Sequence, residues 1–216
     1  MQKNKKKSKK SFIKIAIIEH VRNNLKEYLI VTVFFLIGII SGIVLVNNTT
    51  QEQSNEISNY LNNFLVELKN NYTINRLELL KHSVFENTKL SIALWFVGST
   101  VVGIPIVYAI ISFRGFSLGY AIASSVATMG VKNAIIFVIS TMFFQNILFI
   151  PAILALGVSG IKLYKSIVKD KRRENIKGEI YRHTIFSIIM AIILIISSLI
   201  EVYISSYLLV VFVKYI

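Results

Sequence analysis

The chain has 216 residues, of which 54% are hydrophobic and only 16% charged, and its mean hydropathy is +0.63. Soluble chains carry about 25% charged residues, so an ordinary soluble domain is excluded. There is no cysteine, which removes disulfides, thiol catalysis and cysteine-bound metal. The net charge of +13 could suit nucleic acid, but nine Lys/Arg precede Tyr28 and eight more lie in residues 162–182, so 17 of the 24 basic residues flank apolar runs. That is the positive-inside pattern, and it also favours anionic lipid headgroups. Neither basic segment interleaves aromatics as a nucleic-acid module would.

Taken in chain order, residues 1–27 form a basic cytoplasmic tail. Six lysines crowd its first ten positions, and Phe12, Ile13, Ile15, Ala16, Ile17, Ile18, Val21 and Leu25 then spell a short amphipathic segment suited to a membrane surface. Residues 28–46 give a first span of 19 residues without a charge. It reads as an uncleaved anchor, because Asn47-Asn48-Thr49-Thr50 offers no small-residue cleavage site.

Residues 47–89 are the one long polar excursion, an extracytoplasmic helical loop. Ile57, Tyr60, Leu61, Phe64, Leu65 and Leu68 recur at helical spacing and predict one apolar face. After Asn70-Asn71 a second helix is expected over residues 74–89. With four basic residues against five glutamates, this loop belongs outside.

Residues 90–216 should supply four further membrane segments. The second span is read as residues 90–113, loosened by Pro105, with Trp95 anchoring its outer end. The lone charge Arg114, followed by Gly115, reads as a tight cytoplasmic turn. Residues 116–131 make a third span, short for a hydrocarbon core of about 30 Å. Lys132-Asn133 mark the next turn, and residues 134–161 a fourth segment bent at Pro151. The basic loop 162–182 is cytoplasmic. A fifth span from Thr184 ends near Ile200, and residues 202–216 then lie along or re-enter the membrane. The chain therefore reads as an all-α polytopic membrane protein with about five transmembrane helices, amino terminus in and carboxyl terminus out.

Packing is the strongest internal pattern. Gly38 and Gly42 form a GxxxG, while Gly115, Gly119, Ala123 and Ala127 form a longer stripe of small residues. Such spacing lets helix backbones approach closely, either within the chain or to a partner. Arg114, Gln145, Asn146, Pro151 and Glu201 are the polar or kinked intramembrane candidates. Gln145 and Asn146 could fix the bundle by hydrogen bonds or line a polar path. Glu201 could be a buried functional carboxylate or a helix end at the outer surface.

Catalysis finds no support. His20, His82 and His183 are scattered, and neither HExxH nor GxSxG occurs. Glu78, His82 and Glu86 share a helix face, but a solvated surface explains them. No catalytic residue, cofactor site or metal site is expected.

Three segments carry a resemblance: Arg114-Gly115-Phe116-Ser117-Leu118-Gly119-Tyr120, then Gln145-Asn146-Ile147-Leu148-Phe149-Ile150-Pro151-Ala152, then Ile200-Glu201-Val202-Tyr203-Ile204. In this order and spacing the chain resembles the stage II sporulation protein M family. The resemblance implies a multi-pass protein of the mother-cell septal membrane that acts in engulfment during endospore formation. It implies two peptidoglycan-degrading partners, sporulation proteins D (a lytic transglycosylase) and P (an amidase/endopeptidase), for which this chain is a non-enzymatic anchor and organiser. A rival reading is a small permease or flippase subunit, which requires an intramembrane cavity lined by Gln145, Asn146, Pro151 and Glu201. An intramembrane enzyme built on Glu78, His82 and Glu86 ranks last.

Overall fold

A computed structural model describes residues 21–71, 75–100, 102–169 and 176–214. The lysine-rich tail and most of the amphipathic segment lie outside the described residues. Among the described residues all regular structure is helical: α1 (Leu25–Asn47), α2 (Gln51–Asn71), α3 (Arg76–Gly98), α4 (Gly103–Val138), a π-helical turn π1 (Ile139–Phe143), α5 (Phe144–Lys169), α6 (Ile176–Ile200), a second π turn π2 (Glu201–Ser205) and α7 (Ser206–Lys214).

Local chemistry starts these helices. Thr50 and Gln53 make a capping box at α2: the Gln53 amide donates to Thr50 Oγ1 at 3.4 Å, and the Thr50 amide donates to Gln53 Oε1 at 3.2 Å. Asn75 caps α3, accepting from the Glu78 amide at 3.3 Å while its own side chain donates to Glu78 Oε2 at 3.1 Å.

α1 and α4 run parallel and pack backbone to backbone. A methyl placed on Gly38 would lie 2.0 Å from the Ser112 carbonyl oxygen, and one on Gly42 would lie 2.3 Å from that of Phe116. In the other direction, Gly115 would meet the Phe35 carbonyl oxygen at 2.1 Å and Gly119 that of Ile39 at 2.1 Å. Phe34 stacks on Tyr108 with ring centroids 4.4 Å apart, and Ser112 Oγ donates to the Phe34 carbonyl at 3.0 Å. The expected glycine stripe thus joins two helices of one chain. Its glycines end at Gly119; Ala123 is half-buried and Ala127 is exposed.

α3, α5 and α6 complete the bundle. α3 runs parallel to α5 and antiparallel to α6, bonded to α6 through Asn87 to Leu194 and through Trp95 to Thr184. A glycine pair that the sequence reading missed seats α3 on α5: a methyl on Gly98 would come within 2.7 Å of the Gly160 Cα. The main core gathers Val31, Leu94, Val107, Ile111, Ile153, Leu156 and Leu194 from all these helices.

The surface is inverted relative to a soluble protein. Leu29, Val33, Leu36, Ile40, Ile188 and Ile192 are exposed, while Asn87, Ser91, Ser125, Ser159, Ser197 and Ser198 are buried. In a lipid solvent apolar groups gain nothing by hiding, and small polar residues make the helix contacts. Among the described residues, three helical stretches are long and apolar enough to cross a membrane: Leu25–Asn47, Gly103–Val168 and Ile176–Val213.

Several sequence boundaries are corrected. No turn forms at Arg114-Gly115; α4 runs straight through, and the chain reverses between Gly98 and Gly103 instead. One arginine does not stop a helix when it can face the interior, and Gly115 serves helix packing. The segments read as residues 90–113 and 116–131 are therefore replaced by α3 and by α4 up to Gly130. Trp95 consequently lies beside Thr184, next to the basic loop, and not at the opposite end. The next reversal falls at Gly130 (φ 75°, ψ 163°), two residues before the expected Lys132-Asn133 turn. Pro151 stays inside α5 and faces outward. Beyond Glu201 the chain does not leave the bundle: π2 and α7 continue α6, and Leu209, Phe212 and Val213 pack with Phe137.

Candidate functional site

A chamber of about 300 Å³ opens in the polar side of the bundle, lined by His82, Ser83, Glu86 and Asn87 of α3, Arg114, Ser117 and Leu118 of α4, Met142 of π1, Gln145, Asn146 and Phe149 of α5, and Glu201 of π2. Each wall follows from helical phase. On α3, Ser83, Asn87 and Ser91 are buried at intervals of four, so one face is polar and points inward. On α4, Gly115 and Gly119 turn toward α1, which leaves Arg114, Ser117 and Leu118 on the chamber side.

Glu201 is the best-held group. Its Oε2 accepts from Ser83 Oγ and, at 2.7 Å, from Gln145 Nε2. Ser197 Oγ donates to the Gln145 carbonyl at 3.2 Å. Asn87 Nδ2 donates to Ser198 Oγ at 2.8 Å and to the Leu194 carbonyl at 3.2 Å. Asn146 turns back onto its own helix, donating to the Met142 carbonyl at 2.9 Å. The π turns lie against each other here, and each shifts its helix by one residue and widens it, a distortion often found at functional sites.

Arg114 is held differently. Its guanidinium carbon stands 5.6 Å from the Phe149 ring centroid, a cation–π contact. Among the described residues it makes no ion pair, and Glu86, which lines the chamber with it, is paired with Lys89 at 2.8 Å. Glu201 likewise has no cation at ion-pair distance among the described residues.

The sequence candidates therefore divide. Arg114, Gln145, Asn146 and Glu201 meet at one chamber, whereas Gly38, Gly42, Gly115 and Gly119 build the α1–α4 seam. Pro151, Ala123 and Ala127 are not among the chamber lining, and of these Pro151 and Ala127 are exposed. His82, Ser83, Glu86 and Asn87 were missed as chamber walls; their signal was the inward polar period of α3. Glu78 is occupied at the α3 cap and does not join His82 and Glu86. Among the described residues no group of three His, Asp or Glu side chains could hold a metal ion. A second polar cluster lies toward the basic loop, where buried His183 Nδ1 shares a 2.8 Å hydrogen bond with Ser159 Oγ and Lys165 pairs with Glu27 at 2.7 Å.

A family model described as stage II sporulation protein M matches residues 31–206, most of the chain. The chain belongs to the stage II sporulation protein M family. The matched stretch runs from within α1 to the first residue of α7 and holds every chamber residue. The three segments on which the resemblance rests contribute Arg114, Ser117 and Leu118, then Gln145, Asn146 and Phe149, then Glu201, so all three converge on the chamber. No curated protein and no solved structure matches the chain. Family and apolar helices together make this a sporulation-related membrane protein.

Proposed function

We propose that the protein is a non-enzymatic, multi-pass platform that anchors peptidoglycan-degrading partners for septal wall thinning and engulfment during endospore formation. In this reading α1, α3, α4, α5 and α6 with its continuation are five spans. α3 is the unconventional one: His82, Ser83, Glu86 and Asn87 line the chamber, while Lys81 and Lys89 stay exposed. The basic residues at the α5–α6 connection put that end in the cytoplasm, and α2 then lies on the wall side.

The observation that carries the reading is the docking of α2 onto the bundle. Ser58 and Thr128 hydroxyls share a 3.3 Å hydrogen bond, and Leu65 and Leu68 pack on Phe137, Leu209 and Phe212. The opposite face stays open, with Tyr60 76% exposed. A helix fixed this way presents a defined surface to the wall compartment and supplies no chemistry of its own. The partners fitted to it are hydrolases resembling sporulation proteins D and P.

The test is co-purification from sporulating-cell membranes with α2 altered on its open face, Tyr60→Ala with Val66→Asp. Hydrolase recovery and septal thinning should both fall while insertion of the bundle is unchanged. Full recovery with normal engulfment would remove α2 as the platform. A second reading, a small permease or flippase subunit, draws on the chamber alone and requires translocation by the reconstituted protein.

A further inference from the structure

We propose that the chamber and the groove between α3 and α4 together hold one membrane lipid, its phosphodiester at Arg114 and an acyl chain along the groove. The inference depends on neither functional reading above.

Depth comes first. Gly115 touches Phe35 and Ile39, the middle of the 23-residue α1, so Arg114 lies near the midpoint of the most apolar helix in the chain. A cation at that depth is costly unless it is paired or hydrated. Yet among the described residues Arg114 makes no ion pair: it has the Phe149 face and a longer-range attraction to Glu86, which is itself engaged by Lys89. The planar guanidinium fork suits a phosphate, which it can grip with two parallel hydrogen bonds.

The second observation is the groove. A cleft of about 580 Å³ lies between α3 and α4, walled by Leu90, Ala93, Ala109, Ile110 and Phe113 with Lys89 at its edge. It shares Glu86 and Arg114 with the chamber, so the two spaces are contiguous at the guanidinium. Ala93 and Ala109 leave the cleft its width. An inorganic anion would explain Arg114 and leave the apolar cleft idle; a plain acyl chain would do the reverse. An amphiphile with a phosphate at its waist uses both.

The far wall narrows the headgroup. Glu86 and Glu201 are carboxylates, and Gln145 and Asn146 each spend one of their two amide N–H donors on Glu201 and Met142. Beyond the phosphate the charged acceptors of the chamber are these two carboxylates, with His82 beside them. The chamber fits a phosphodiester lipid whose headgroup ends in a hydrogen-bond donor, an ammonium above all, and disfavours one bearing a second negative charge.

The test is native mass spectrometry of the full-length detergent-solubilised protein, titrated with dioleoyl phosphatidylethanolamine. One bound lipid per chain should appear. Arg114→Gln should bind at least about tenfold more weakly, as expected for loss of a charge-assisted pair, with Arg114→Lys between. Ala109→Trp, at an exposed position that leaves the fold intact, should fill the groove and expel the lipid with Arg114 untouched. Dioleoylglycerol should not bind in its place, and millimolar inorganic phosphate should not compete. Unchanged binding in Arg114→Gln would overturn the proposal. So would a phosphate-competable site indifferent to Ala109→Trp, since the chamber would then be a plain anion site.

Discussion

Glu201 decides between two readings of its own sequence context. A carboxylate ending a helix at the outer surface would face water; this one accepts from Ser83 and Gln145 inside the bundle, linking π2 to both α3 and α5. Removing it leaves two donors without an acceptor in a poorly hydrated space, a cost of about 1–3 kcal/mol. Glu201→Ala should therefore lower the unfolding midpoint in detergent, whereas Glu201→Gln, which keeps an acceptor oxygen, should lower it much less. Equal effects from both would show that charge and not the hydrogen bonds matters there. Arg114 was legible as a residue out of place but not as an inward-facing one. Hydropathy registers a charge without its direction, and the direction was set by Gly115 packing on α1.

Among the elements, the α1–α4 seam was the most legible and α3 the least. Glycines four apart state a close backbone approach, and Gly38, Gly42, Gly115 and Gly119 deliver it. The same spacing goes on to Ala123, which is half-buried, and to Ala127, which is exposed beyond the end of α1 at Asn47. α3 was divided between loop and span because His82, Glu86 and Lys89 look soluble; they are polar for the chamber and for each other. The π turns have no signature in composition or period, so the local shift that brings Gln145 to Glu201 could not be read at all. Gly115→Leu should break the seam, since Phe35 presents backbone that cannot yield. Overpacking alone costs about 1–3 kcal/mol. Because the chain has no cysteine, a Phe34→Cys/Tyr108→Cys pair can report this directly. The pair should cross-link efficiently in an otherwise unaltered chain, and with Gly115→Leu the cross-link should be lost.

At the scale of the whole molecule, the five-span topology of the platform reading rests on where the chain turns. The sequence reading puts a turn at Arg114; the helices reverse between Gly98 and Gly103, beside the basic connection that Trp95 reaches through Thr184, and that end is cytoplasmic in the platform reading. Both arrangements give the same number of crossings, so counting spans cannot separate them, but labelling can. In the helical arrangement a cysteine replacing Ser99 sits in the cytoplasm, one replacing Ser54 on α2 sits outside, and one replacing Phe113 sits in hydrocarbon. A membrane-impermeant maleimide added to intact cells should label only the Ser54 variant. Permeabilised cells should add the Ser99 variant, and the Phe113 variant should stay unlabelled in both. The earlier turn requires the opposite for Phe113, next to a surface arginine and labelled once the cytoplasm is opened. A labelled Ser99 variant in intact cells would reverse the orientation, and with it the placement of α2 on the wall side that the platform reading needs.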